Sequence, residues 1–153
     1  MEDGFVVRFR GVRGSYPVPG PSTIRYGGNT SCVEVWAGGR LLVLDAGTGI
    51  ISLGADLLAW QEEKEKERPL VASIFFSHTH PDHTQGFPFF TPAYLGTSTL
   101  YMFGPRTFYQ DVAEALERAM LQPTFPVSLD ELPSLLIISN ITENEVILID
   151  EHY

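Results

Sequence analysis

Short runs of Val, Ile, Leu and aromatic residues, separated by Gly- and Pro-rich stretches, set the pattern of this chain. Phe5 to Phe9 and Ser31 to Trp36 are brief and rich in Val and aromatics. The second run alternates Cys32, Glu34 and Trp36 against Val33 and Val35, the two-residue period of a strand. Ala37-Gly38-Gly39-Arg40 then leads to Leu41-Leu42-Val43-Leu44, and a Gly-Gly pair between such runs predicts a hairpin because both residues tolerate positive φ. Gly11 to Thr30, punctuated by glycines and by Pro17, Pro19 and Pro21, predicts a long ordered loop of the kind that often carries function.

After Asp45-Ala46-Gly47-Thr48-Gly49, apolar residues at Ile50, Leu53, Leu57, Leu58 and Trp60 follow helical spacing. They predict a helix from about Ile50 to Glu67, with Thr48 as N-cap and a solvated charged end from Glu62 to Arg68. Leu70 to Phe76 is a continuous apolar run, read as a strand buried on both faces. A strand at Thr99 to Phe103 and a helix begun by Pro105, with Phe108, Val112, Leu116, Ala119 and Met120 on one side, come next. Leu135 to Ile138 and Glu145 to Ile149 read as final strands. This order predicts an α/β or α+β domain, a mixed sheet with helices on one face.

The chain has 153 residues, 44% hydrophobic and 19% charged, enough for one globular domain. Ten basic against 19 acidic residues give a net charge of -9, which disfavours extended contact with nucleic acid. Cys32 is the only cysteine, so neither an intrachain disulfide nor a cysteine-based zinc site is available, and a reducing, cytoplasmic setting is expected. Neither a signal peptide nor an apolar run long enough to cross a membrane is evident, so no membrane partner is expected.

Three of the four histidines fall in His78-Thr79-His80-Pro81-Asp82-His83, directly after the apolar run 70–76. At a strand end, residues two apart project to the same side, so His78 and His80 can face one metal ion. Pro81 suits the start of a turn or helix that swings Asp82 and His83 towards a second ion. Mixed imidazole and carboxylate ligation favours zinc, with manganese or iron as alternatives. The competing reading, surface polar residues in a turn, is weakened by the clustering and by the carboxylate among the imidazoles.

His-x-His-x-Asp-His resembles the metal-binding signature of the metallo-β-lactamase superfamily, and Leu44-Asp45-Ala46-Gly47-Thr48-Gly49 resembles its upstream Asp-bearing strand end. Gly11-Val12-Arg13-Gly14-Ser15-Tyr16-Pro17, Tyr26 to Cys32 and Gln85 to Phe90 are similar to the branch that holds ribonuclease Z and the phosphoribosyl cyclic phosphate phosphodiesterases. The resemblance implies two divalent ions, His78 and His80 on the first and Asp82 and His83 on the second, with an activated hydroxide between them. Asp82 would also act catalytically on the nucleophile, and Asp45 would brace the ligand loop from behind. The implied activity is a metal-dependent hydrolase, a phosphodiesterase acting on a small phosphodiester; a lactamase or thioesterase chemistry is the alternative within the class.

The same family implies an αββα sandwich of two similar halves, and residues 1–153 match only the N-terminal one. The later ligands, a His, a bridging Asp and a final His, have no counterpart, and His152, the remaining histidine, reads as an exposed terminal residue. Two protein groups per ion is fewer than the three usual for catalytic zinc. A second class of reading follows: an incomplete or non-catalytic unit that binds metal or assembles with another chain, as a homodimer or with a complementing partner. Gly27 to Thr30 and Gly47-Thr48-Gly49 are weaker candidates for cradling a phosphate. Phe87, Phe89, Phe90, Tyr94 and Phe125 read as core before pocket, Cys32 as an inert packed thiol, and neither Ser15 nor Ser77 as a nucleophile.

Overall fold

A computed structural model describes residues 4–64, 69–106 and 111–149. Six strands form one sheet in sequence order: β1 (Phe5–Gly11), β2 (Cys32–Ala37), β3 (Arg40–Leu44), β4 (Val71–Phe75), β5 (Thr99–Pro105) and β6 (Leu135–Ile141). The first three are antiparallel neighbours, and β3 to β6 run parallel, so the class is α/β with a mixed sheet. Gly38 and Gly39, at φ 56 and 76, make the β2–β3 hairpin that the Gly-Gly pair predicts. Three helices join the strands: α1 (Gly49–Lys64), the single turn α2 (Pro81–Thr84) and α3 (Val112–Ala119).

One sheet face carries the core. Across the strands, the rows Trp36–Leu41–Ala72–Leu100–Leu136 and Glu34–Val43–Ile74–Met102–Ile138 lie in register, and Ile50, Leu53 and Leu57 of α1 with Val112 and Leu116 of α3 join them in one buried cluster. The one carboxylate in these rows, Glu34, is neutralised where it sits: Arg8 and Arg10 pair with it, and the Trp36 Nε1–H donates to it at 2.7 Å. Arg10 reaches on to Asp56, tying α1 to the sheet.

The opposite face is apolar along its central rows and, among the described residues, only partly covered: Val35 and Ser73 are buried, and the rest are half-buried or exposed. Its rows Val7–Val35–Leu42–Ser73–Tyr101–Ile137 and Phe9–Val33–Leu44–Phe75–Phe103–Ser139 hold no charged residue. Phe9 is 73% exposed and Leu44 44%. This corrects in part the reading of residues 70–76 as buried on both faces: Ala72 and Ile74 are buried among the helices, whereas on the other face Ser73 is buried, Phe75 half-buried and Val71 exposed.

Other expectations also shift. Pro105 closes β5 instead of opening a helix; α3 begins at Val112, with the Asp111 carboxylate accepting from the Glu114 N–H at 3.0 Å as N-cap. Phe108 lies outside the described residues, as do Glu67 and His152. Residues 145–149 form no strand: Asn144 turns the chain at φ 65, and Val146 and Leu148 stay exposed, without a strand to pair. Thr48 does not cap α1 with its side chain, because its hydroxyl accepts from the Thr30 N–H at 2.9 Å.

Candidate metal centre

The cluster forms at the carboxyl ends of two adjacent parallel strands, where open α/β sheets place their ligands. Asp45 leaves β3 with its N–H still bonded to Phe75 O at 2.8 Å, so the ladder brings it level with the end of β4. It sits there at φ 62, a left-handed conformation that Asp tolerates better than most residues. From β4 the chain runs through Ser77, His78 and His80 into α2. Pro81 occupies the first helical position, and one turn, closed by His83 N–H to His80 O at 2.9 Å, brings Asp82 and His83 back beside His78.

Two loops press backbone on backbone to hold this turn. Ala46 N–H donates to His83 O, and Gly86 N–H to Ala46 O. A Cβ on Gly47 would stand 2.2 Å from Asp82 O, and one on Gly86 2.0 Å from Gly47 O, so glycine is required at both. The Gly47-Thr48-Gly49 N–H groups are already spent on Ser31 O, Thr30 Oγ1 and Thr30 O, which removes that turn as a phosphate cradle.

The structure brings all four proposed ligands and Asp45 together. His78 Nε2 and His80 Nδ1 stand 3.1 Å apart, and His83 Nε2 and Asp82 Oδ2 3.4 Å. Two atoms that each lie about 2.0–2.1 Å from a tetrahedral zinc are separated by roughly 3.3 Å, so both pairs match the spacing of ligands sharing one ion. Among the described residues no group of three or more His, Cys, Asp or Glu side chains is placed to hold an ion.

Each pair is oriented from behind. The Asp45 carboxylate accepts from His83 Nδ1 at 2.8 Å and from the Ser77 N–H at 2.8 Å, and the Ser77 hydroxyl lies 3.0 Å from both Asp45 oxygens. That hydroxyl also lies 3.0 Å from His78 Nδ1. With the Ser77 proton given to Asp45, its oxygen accepts from Nδ1–H of His78. The tautomers assigned by these partners leave Nε2 of both His78 and His83 without a proton, with His78 Nε2 placed to accept from His80 Nδ1 and His83 Nε2 facing Asp82 Oδ2. Burial, reinforced by the neighbouring His83 and His80, lowers the pKa of His78 and favours its neutral form. Burial alone would raise Asp82, but the Ser15 N–H at 2.8 Å and the His83 ring outweigh it and hold the carboxyl below its ordinary value.

Ser15 and Ser77 are the residues that motif reading passed over, because their part is to donate and accept hydrogen bonds and not to attack. Ser15 sits at φ 70, so the long loop bends back to give its N–H to Asp82. Beside the cluster, Asp45 and Ser77 also line an open cleft of about 470 Å³ that continues along the apolar sheet face past Phe9, Leu44 and Phe75. Of the aromatics, Phe87 and Phe90 are core, whereas Phe89 is exposed with its ring edge-on to Phe125, and Tyr94 donates its hydroxyl to Pro88 O. Cys32 is fully buried, and burial pushes its thiol up to about 12.

Comparison of the chain with models of protein families, with curated proteins and with solved structures gives no match. Among the described residues no helix is long and apolar enough to cross a membrane.

Proposed function

We propose that this chain is a metal-dependent hydrolase of the metallo-β-lactamase superfamily that cleaves a small phosphodiester. The observation that supports the reading is the convergence of His78 with His80 and of His83 with Asp82 at the strand ends, with Asp45 and Ser77 holding the far nitrogens of His83 and His78. His78 and His80 would hold one divalent ion, zinc before manganese or iron, and Asp82 and His83 another. When bound, such ions supply Lewis acidity, lowering the pKa of water and drawing charge from phosphoryl oxygens. Asp82 stays ionised beside the Ser15 N–H, as a carboxylate that orients a water and takes its proton must. Asp45 keeps the ligand turn in register with the sheet and fixes the His83 ring.

A second reading is favoured by the partly covered sheet face: the unit binds metal but completes its site, and its core, only against another layer, either a second copy or a complementing chain. Two donors per ion agree with it. Metal analysis with hydrolysis of bis(p-nitrophenyl) phosphate separates the two. Turnover that needs added zinc or manganese and is lost in His80→Ala supports the enzyme; bound metal with no turnover, unchanged in His80→Ala, removes that reading for this chain alone. Sedimentation across concentration then tests assembly, which fails if a folded monomer is the only species.

A further inference from the structure

On the helix side of the sheet, the amino half of β6 floors an open cleft of about 600 Å³. Strands β3 to β6 run parallel, so this end of the sheet lies opposite the one where the histidines meet. Most of the lining is apolar: Met120 and Leu121 follow α3, Leu129 and Leu132 belong to the turn before β6, and Leu136 and Ile138 lie on the strand. The volume is that of a small-molecule site, roughly 300–1,000 Å³, and the concave form is not that of a broad protein interface.

Four polar side chains interrupt this lining, and one is already committed: Ser128 Oγ donates to Glu131 Oε2 at 2.8 Å, capping the turn. Ser134 is different. It is only 7% exposed, and among the described residues its hydroxyl has no hydrogen-bond partner. It lines the cleft together with Leu136 and Ile138, each two residues from the next, the spacing of one strand face. A buried hydroxyl left unpaired is destabilising and uncommon in folded chains, and a ligand that pairs with it removes that penalty. Glu117 and Asp130 are exposed at the edge of the cleft; among the described residues neither forms an ion pair, and no Lys, Arg or His joins the lining. Apolar walls, an unpaired hydroxyl and two carboxylates without a counter-charge are together the complement of a cation with an apolar body.

We propose that this cleft binds a small organic amine, its apolar body on Leu129, Leu132, Leu136 and Ile138, its ammonium donating to Ser134 Oγ and balanced by Glu117 and Asp130. At pH 7 an alkylamine is protonated, as lysine is, and carries the donors that the hydroxyl oxygen and the carboxylates accept. The site shares no residue with the metal cluster, so neither a bound ion nor hydrolysis is needed for it.

Titration of the chain with 4-phenylbutylamine, followed by two-dimensional amide spectra, tests the site, with 4-phenylbutanol and 4-phenylbutyrate as probes of similar size and different charge. The amine gives saturable shifts at residues 117–121 and 128–138, the alcohol binds about 5-fold more weakly, and the carboxylate does not bind. Glu117→Gln combined with Asp130→Asn abolishes the advantage of the amine over the alcohol, whereas Glu63→Gln on α1, an exposed carboxylate outside the cleft, leaves it in place. Ser134→Ala weakens the amine about 10-fold, the worth of a hydrogen bond to a charged group, while the free protein resists urea at least as well as before, because an unpaired hydroxyl has been removed. Shifts that do not saturate or that lie outside the cleft overturn the proposal. So does an amine preference that survives the double substitution or falls equally in Glu63→Gln, which would reflect only the net charge of -9. Amine binding untouched by Ser134→Ala overturns it as well.

Discussion

Asp45 concentrates more of the site's geometry than any ligand does. It accepts from the Ser77 N–H, from the Ser77 hydroxyl and from His83 Nδ1 while standing at φ 62. Replacing it by Ala frees the His83 ring and the loop after β4 together, and loss of such an outer partner typically costs about 10- to 100-fold in metal affinity. Zinc titration against a competing chelator should show that loss in Asp45→Ala with the far-ultraviolet circular dichroism unchanged; equal affinity in the two proteins would mean the carboxylate does not orient the ligand. Cys32 gives a second prediction at this scale. Fully buried and with its thiol held up to about 12, it should not react with Ellman's reagent at pH 8 until denaturant is added. Rapid reaction in the native state would contradict the packing of β2.

Among the elements, the turn at residues 45–49 and α2 approach so closely that glycine is needed for the contact. Gly47→Ala drives a methyl into Asp82 O, and the forced displacement should cost about 1–3 kcal/mol in urea unfolding. By contrast, Asp111→Ala removes one side-chain cap from α3 and should cost about 1 kcal/mol. A Gly47→Ala cost below that of the cap would show that the loops can part. The strands were legible where apolar runs were bounded by Gly or Pro, as at Gly38-Gly39, because turn chemistry and two-residue periodicity act locally. Residues 145–149 look like a strand by composition yet have no neighbour to bond, since a strand exists only by pairing. The apolar run 70–76 gave its burial away only by half: Ala72 and Ile74 face helices, and nothing in the run says that the other face is only partly covered. At the site, the His-x-His-x-Asp-His spacing pointed to the side chains that meet at the strand ends. The Ser15 N–H on Asp82 spans 67 positions and depends on a backbone turn that residue type does not reveal.

The whole molecule exposes 9339 Å², whereas a folded chain of 17.0 kDa is expected to expose roughly 7,700 Å². Part of that surface is the face built on the rows Val7 to Ile137 and Phe9 to Ser139, where Val7, Phe9 and Leu44 are exposed, and apolar patches of this kind bind hydrophobic dyes. Anilinonaphthalene sulfonate should therefore fluoresce with the native chain, and Phe9→Ser with Leu44→Ser should reduce the signal while leaving stability within about 0.5 kcal/mol, because neither side chain is in the core. Dye binding that is absent from the native protein, or unchanged in the double variant, would mean that the face is covered in solution. The cleft beside Asp45 and Ser77 opens onto this face, so whatever covers it also approaches the cluster.

On the reading proposed above, His78, His80, Asp82 and His83 hold divalent ions. X-ray absorption at the zinc edge, recorded on the chain loaded with zinc, tests it most directly. Nitrogen and oxygen ligation near about 2.0–2.1 Å is expected, with imidazole scattering that diminishes in His80→Ala. A protein that retains no zinc when it is supplied in excess, or whose bound zinc has a spectrum indifferent to His80→Ala, would contradict it.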